Sequence, residues 1–124
     1  MPKSTFDPAD PLSIDALLST EEIAVRETVR TMLDKRVQPH IAEWFEAAGV
    51  DEPRELFKEF GKLGLLGMHL DGYGLPGMSS VEYGLACVEL EACDSGIRSM
   101  VSVQGSLAMY AIWKFGNEET RQQW

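Results

Sequence analysis

Cysteine, histidine and positive charge are all scarce in this chain, and each scarcity closes off a class of function. The two cysteines, Cys87 and Cys93, fall on one predicted helix. They stand about 9 Å apart along its axis at ~1.5 Å per residue, too far for a disulfide, so both read as reduced packing residues. With only His40 and His69 to join them, the spacing of a metal site is missing. Eleven basic residues face twenty acidic ones, and the net charge of −9 disfavours a surface for nucleic acid or for anionic lipid. No apolar run approaches the ~20 residues of a membrane span, and the opening MPKSTFDPADPLS lacks the apolar core of a secretory signal. The expected setting is soluble and intracellular, taken as cytoplasmic. Two-residue alternation of the kind that builds a sheet is also missing, as are internal repeats.

What is present is helical periodicity. At 124 residues and 44% hydrophobic content the chain suits one compact domain. Residues 1–12 carry three prolines and read as an extended arm, with a short helical turn expected at SIDALL. Ser19 and Glu22 have capping-box spacing, and Val25, Val29, Met32, Leu33 and Val37 follow as one apolar face. Pro39 breaks or kinks that helix, and Ile41, Trp44 and Phe45 resume the spacing up to Gly49. Pro53 suits a first helical position, with Leu56, Phe57, Phe60 and Leu63 on one face and Gly64 as the stop. The glycine-rich LGLLGMHLDGYGLPGMSS reads as a loop or hinge. Ser79 and Glu82 then open a helix to about Cys93, and after DSG an almost wholly apolar helix is expected over 97–115, centrally placed. Asn117 reads as the cap of a last helix that is too short to stand alone at Trp124, so the natural polypeptide is expected to continue. The sum is an all-α fold, an up-and-down or orthogonal bundle of about five or six helices.

Two motifs bear on function. GYGLPG, residues 72–77, has the G-x-G-x-x-G spacing of a dinucleotide loop, but a turn and a second helix follow where that fold needs a parallel strand, and Pro76 removes an amide from the cradle. A plain turn is the better reading. Arg98 heads the apolar helix, with Ser102 one turn on and Ser99 and Ser106 extending a polar seam. A guanidinium cannot shed its proton, so inside a core it needs a partner, for which Glu91, Glu89 and Asp94 are available. In one reading Arg98 is an ordinary surface arginine. In the other, its planar fork and the neighbouring hydroxyls receive a carboxylate or another anion. Trp44, Phe57, Phe60, Tyr83, Tyr110, Trp113 and Phe115 read mostly as core, and no nucleophile stands in a recognisable motif with a histidine.

The wording of STEEIAVRETVRTMLDKRVQPHIAEW, FGKLGLLGMHLDGYGLPGMSSVEYGLACVELEACDSGIRSMVSVQGSL and FGNEETRQQW resembles the N-terminal helical domain of the acyl-CoA dehydrogenases, over residues 13–124. Within that family, DSGIRSMVSVQGSL looks most like the glutaryl-CoA dehydrogenases, although Gly105 departs from the serine often found there. The resemblance implies a flavoenzyme whose FAD, β-domain and second helical domain lie outside this chain. It also implies a glutamate base downstream, so that no catalytic residue is expected here and the chain alone is expected to be inactive. It further implies electron-transfer flavoprotein as acceptor, a homotetramer, and oxidation with decarboxylation of glutaryl-CoA to crotonyl-CoA. Carried over by motif position, Arg98 would hold the distal carboxylate, with Ser99 and Ser102 beside it and Glu91 as counter-ion. The competing expectations are a dehydrogenase of another acyl-CoA and a stand-alone helical interaction module.

Overall fold

A computed structural model describes residues 6–8 and 10–124. Of the arm expected over 1–12, residues 1–5 and 9 lie outside the described ones. The rest of it turns rather than extends: the Asp10 amide donates to the Asp7 carbonyl at 3.2 Å. The Asp10 carboxylate then accepts from the amides of Ile14 and Asp15, opening a 3₁₀ turn over Ile14–Leu17 where a helical turn was expected.

Local sequence signals set most of the helix boundaries. Helix α1, Thr20–Arg36, starts on a complete capping box in which Ser19 and Glu22 each accept the other's amide. Pro39 falls within a 3₁₀ turn over Gln38–His40 that separates α1 from α2, Ile41–Glu46. Helix α3, Pro53–Lys62, has its proline at the first position, as expected, and Gly64 follows its end at φ 74°, in the left-handed region. A second complete capping box, Ser79 with Glu82, opens α4, Ser80–Cys93. Asp94 caps α5, Ser95–Ser102, through the Ile97 amide, so the helix begins two residues before the expected 97. Helix α5 runs on into a π-helical stretch, Val103–Met109, and then α6, Tyr110–Phe115. Asn117 caps α7, Glu118–Gln123, as expected.

The glycine-rich segment contains the one departure from all-helical structure among the described residues. Strands β1, Asp71–Gly72, and β2, Leu75–Pro76, pair antiparallel. Tyr73 and Gly74 form their two-residue loop with φ 54° and 81°, the signature of a type I′ turn. The pattern of glycines in GYGLPG is thus a hairpin's. Alternation could not have revealed strands of two residues. The Trp113 indole N–H donates to the Asp71 carbonyl at 2.9 Å, and the Tyr73 hydroxyl to Glu118 at 2.8 Å, fastening the hairpin to α6 and α7.

The core is the meeting of α1, α3, α4 and α5: Val29, Leu33 and Val37 pack with Leu56, Phe60, Ala86, Leu90, Ile97 and Val101. Met68 and Leu65 close it from the loop. Two expectations fail here. The helix from Ile97 is central only in its first half, because Val103, Leu107 and Phe115 turn outward at 53%, 65% and 78% exposure. Phe45 likewise points to solvent, at 82%. Helical spacing assigns residues to a face but does not say how far along the helix a neighbour covers it.

Three arginine–carboxylate clamps tie α1 to its surroundings. Arg26 binds both oxygens of Asp15, Arg30 both oxygens of Glu89 at 2.8 and 2.9 Å, and Arg36 both oxygens of Glu59. Glu89 is thus a buried carboxylate with its partner in place. No helix among the described residues is long and apolar enough to cross a membrane.

Phe60 is wholly buried, and Phe60→Ala should cost about 3–5 kcal/mol, read as a lower midpoint of chemical denaturation. The Arg26 hydrogen bond holds Asp15 below the usual carboxylate range. A carboxyl depressed in the folded state adds stability above its unfolded value and loses it as pH falls through the folded one. Asp15→Asn should therefore narrow the stability gap between pH 7 and about pH 3, and an unchanged pH profile would remove the clamp from that role.

Candidate functional site

Helices α4 and α5 run antiparallel, and each carries a polar stripe with a spacing of four: Tyr83, Cys87 and Glu91 on one, Arg98, Ser102 and Ser106 on the other. A step of four along an α-helix overshoots one turn by about 40°. In the wider π turn the same step falls short. The α-to-π change after Ser102 offsets the drift and keeps Ser106 in line with Arg98.

Both ends of the paired stripes are fixed by hydrogen bonds. Arg98 Nε donates to Glu91 Oε2 at 2.7 Å and Nη1 to Ser102 Oγ at 3.3 Å. The Ser102 hydroxyl donates in turn to the Ser99 carbonyl at 3.2 Å. Two turns further on, the Tyr83 and Ser106 hydroxyls share a hydrogen bond of 2.8 Å. Arg98 Nη2 makes no hydrogen bond among the described residues, and the Arg98 side chain is 38% exposed. Its charge therefore lies at a boundary, half paired, with the Nη2 amino group free.

Of the three acids available to Arg98, the fold selects Glu91. Glu89 belongs to Arg30, and Asp94 is spent on the α5 cap. Ser99 takes part through its carbonyl alone, its side chain being exposed. Arg98, Ser102 and Glu91 are thus brought together, and Ser99 stands beside them.

The electrostatics agree with the contacts. Arg98 is pushed above its already high value, first by the Glu91 hydrogen bond and then by its charge, with Cys87 and Tyr83 adding smaller contributions. Burial pushes the Tyr83 phenol above its ordinary value, while the bond from Ser106 pulls the other way. Both cysteines are free, and Cys93 donates to the Gln38 side chain.

Tyr83, read from the sequence as a core aromatic, does pack against the core, and its hydroxyl also joins the seam, which the sequence reading did not anticipate. The available signal was its spacing of four and eight from Cys87 and Glu91. It also gave no place to His69, whose ring packs on that of Tyr83 at 4.6 Å between centroids. His69 Nδ1 is buried without a hydrogen-bond partner. The approach of this loop to the π stretch depends on glycine: a Cβ at Gly105 would lie 2.9 Å from the Gly67 nitrogen.

Fold and seam together define a helical domain that offers a half-paired arginine along one edge. The family model of the acyl-CoA dehydrogenase N-terminal domain matches residues 19–124, and the chain belongs to that family. The chain is 36% identical over 108 residues to the probable acyl-CoA dehydrogenase YngJ of Bacillus subtilis (strain 168), covering 85% of this chain and 27% of that protein. A glutaryl-CoA dehydrogenase from Mycobacterium smegmatis superposes with a TM-score of 0.89 at 62% identity, over 94% of this chain and 30% of that one. A structure of a glutaryl-CoA dehydrogenase from the same organism in complex with FADH2 gives 0.91 at 52% identity, over 97% and 31%. The chain thus spans between a quarter and a third of the length of these relatives.

Ser106→Ala should raise the Tyr83 phenol further, since the hydrogen bond that lowers it is lost. NMR of ring-labelled tyrosine across alkaline pH reads this directly, and a downward move would place Tyr83 in different surroundings.

Proposed function

We propose that this chain forms the end wall of the acyl pocket in a flavin-dependent acyl-CoA dehydrogenase that oxidises glutaryl-CoA, with decarboxylation to crotonyl-CoA. The observation that carries the reading is the free Nη2 amino group of Arg98 beside a Glu91 pair and a serine hydroxyl. A distal carboxylate arriving there meets a charged, planar donor group. A neutral acyl tail leaves it unsatisfied, so the cation selects by what it lacks. Glu91 keeps the guanidinium neutralised and oriented between substrates, and Ser102 holds its second arm, with Ser99 at the rim. The similarity to two glutaryl-CoA dehydrogenase structures at 62% and 52% identity supports this substrate over other acyl-CoA thioesters.

FAD enters the proposal as the hydride acceptor of the longer enzyme. A pyrophosphate is held by backbone amides at a helix N-terminus or by free cations, and four of the chain's six arginines, Arg26, Arg30, Arg36 and Arg98, each already carry a carboxylate. These arginines do not fit that group by themselves, and the glutamate base likewise belongs to the remainder of the polypeptide. Electron-transfer flavoprotein as acceptor, a homotetramer and a cytoplasmic location complete the reading on family resemblance.

In the full-length enzyme, Arg98→Ala should lower kcat/KM for glutaryl-CoA by roughly 100-fold while changing butyryl-CoA turnover only a few-fold. Equal losses on both substrates would reject a carboxylate-binding Arg98.

A further inference from the structure

Arg98 has an amino group to give, but a carboxylate has two oxygens and about four acceptor positions, so that one group leaves part of it unsatisfied. Further donors stand along the same seam. Ser102 is already used in both directions, accepting from Arg98 and donating to the Ser99 carbonyl. The Tyr83–Ser106 pair is different: it has two O–H groups, and their mutual bond consumes only one. Whichever hydroxyl donates to the other, one O–H is left over. Among the described residues the one further partner is the Cys87 side chain at the Tyr83 phenol, and a thiol is a weak hydrogen-bonding group that a carboxylate displaces.

That spare donor belongs to the same strip of surface as Arg98. The two stripes are pinned by Glu91–Arg98 at one end and Tyr83–Ser106 at the other, and Ser102, 3.3 Å from Arg98 Nη1, stands one turn before Ser106. The phenol is also held in place. The His69 ring packs against it at 4.6 Å, and the loop that carries His69 is pressed onto the π stretch by the Gly67–Gly105 approach. A donor fixed by its neighbours loses little freedom on binding.

Resting on the reading above, we infer that Tyr83, through its shared bond with Ser106, is a further specificity-determining residue that supplies a neutral O–H donor to the same distal carboxylate as Arg98. The π stretch then has a function: it brings the Ser106 hydroxyl back into the line of Arg98 and Ser102. The division of labour is between a charged fork that selects the anion and a neutral hydroxyl that fixes its orientation.

The test uses the full-length enzyme with glutaryl-CoA and butyryl-CoA as paired substrates. Tyr83→Phe keeps the ring and its packing on His69. It should lower kcat/KM for glutaryl-CoA by roughly tenfold or more, as for a hydrogen bond to a charged group, and leave butyryl-CoA within about twofold. Ser106→Ala should act in the same direction, and Ser106→Thr, which keeps the hydroxyl, should restore the preference. An unselective effect of Tyr83→Phe, or none, beside a selective Arg98→Ala overturns this inference alone. An unselective Arg98→Ala overturns the parent reading instead.

Discussion

Glu89 and Glu91 stand two residues apart on α4, and the roughly 200° of helical rotation between them sends one carboxylate to α1 and the other to α5. Much of the arrangement depends on this divergence. Glu89 clamps Arg30 across the α1–α4 contact, next to Ala86 and Leu90 in the core. Glu91 reaches the other way to hold Arg98. Were Glu91 drawn into that clamp as well, Arg98 would be left without a carboxylate partner, whereas Arg30 would keep Glu27. With the acids assigned separately, α4 is both the spine of the core and one wall of the polar seam.

The division between clamp and seam also separates stability from the proposed selectivity. Arg30 is engaged by both Glu89 oxygens and by Glu27 besides, so it has little left to offer. Arg98 has a single Nε bond to Glu91 and a long Nη1 contact to Ser102. The same residue type therefore serves two ends, and the number of occupied donors distinguishes them. A guanidinium with every donor filled adds to the fold but cannot discriminate among ligands.

Local signals were the most legible in the sequence. Both capping boxes, the proline at the start of α3, the Asn117 cap and the break at Pro39 depend on residues within four positions of one another, and the structure has all of them. Long-range facts were not legible. Three acids stood near Arg98, and only the packing of α1 against α4 removes Glu89 from the choice. The π stretch could not be read because its i→i+5 bonding leaves no residue signature, and because the close Gly67–Gly105 approach beside it joins residues far apart in the chain. The outward Val103, Leu107 and Phe115 were misassigned for a related reason: apolar residues all round a helix announce burial, but not which polypeptide segment provides it.

Partial pairing is also what a pocket for a dicarboxylic thioester requires on physical grounds. A wholly unpaired arginine at the end of an apolar cavity would bind the anion tightly, but the free enzyme would carry the full cost of a desolvated charge. A wholly paired one would have to break its own bonds to accept substrate. Glu91 at 2.7 Å and half exposed sits between these limits: it neutralises the cation, leaves Nη2 free, and would remain within reach of solvent if, as proposed, a substrate carboxylate entered beside it. Like charges then approach across one guanidinium. This arrangement is tolerable only where Glu91 keeps contact with water and further neutral donors share the incoming charge. In the proposed site the hydroxyls of the Tyr83–Ser106 pair would meet that second condition without adding another cation to the seam.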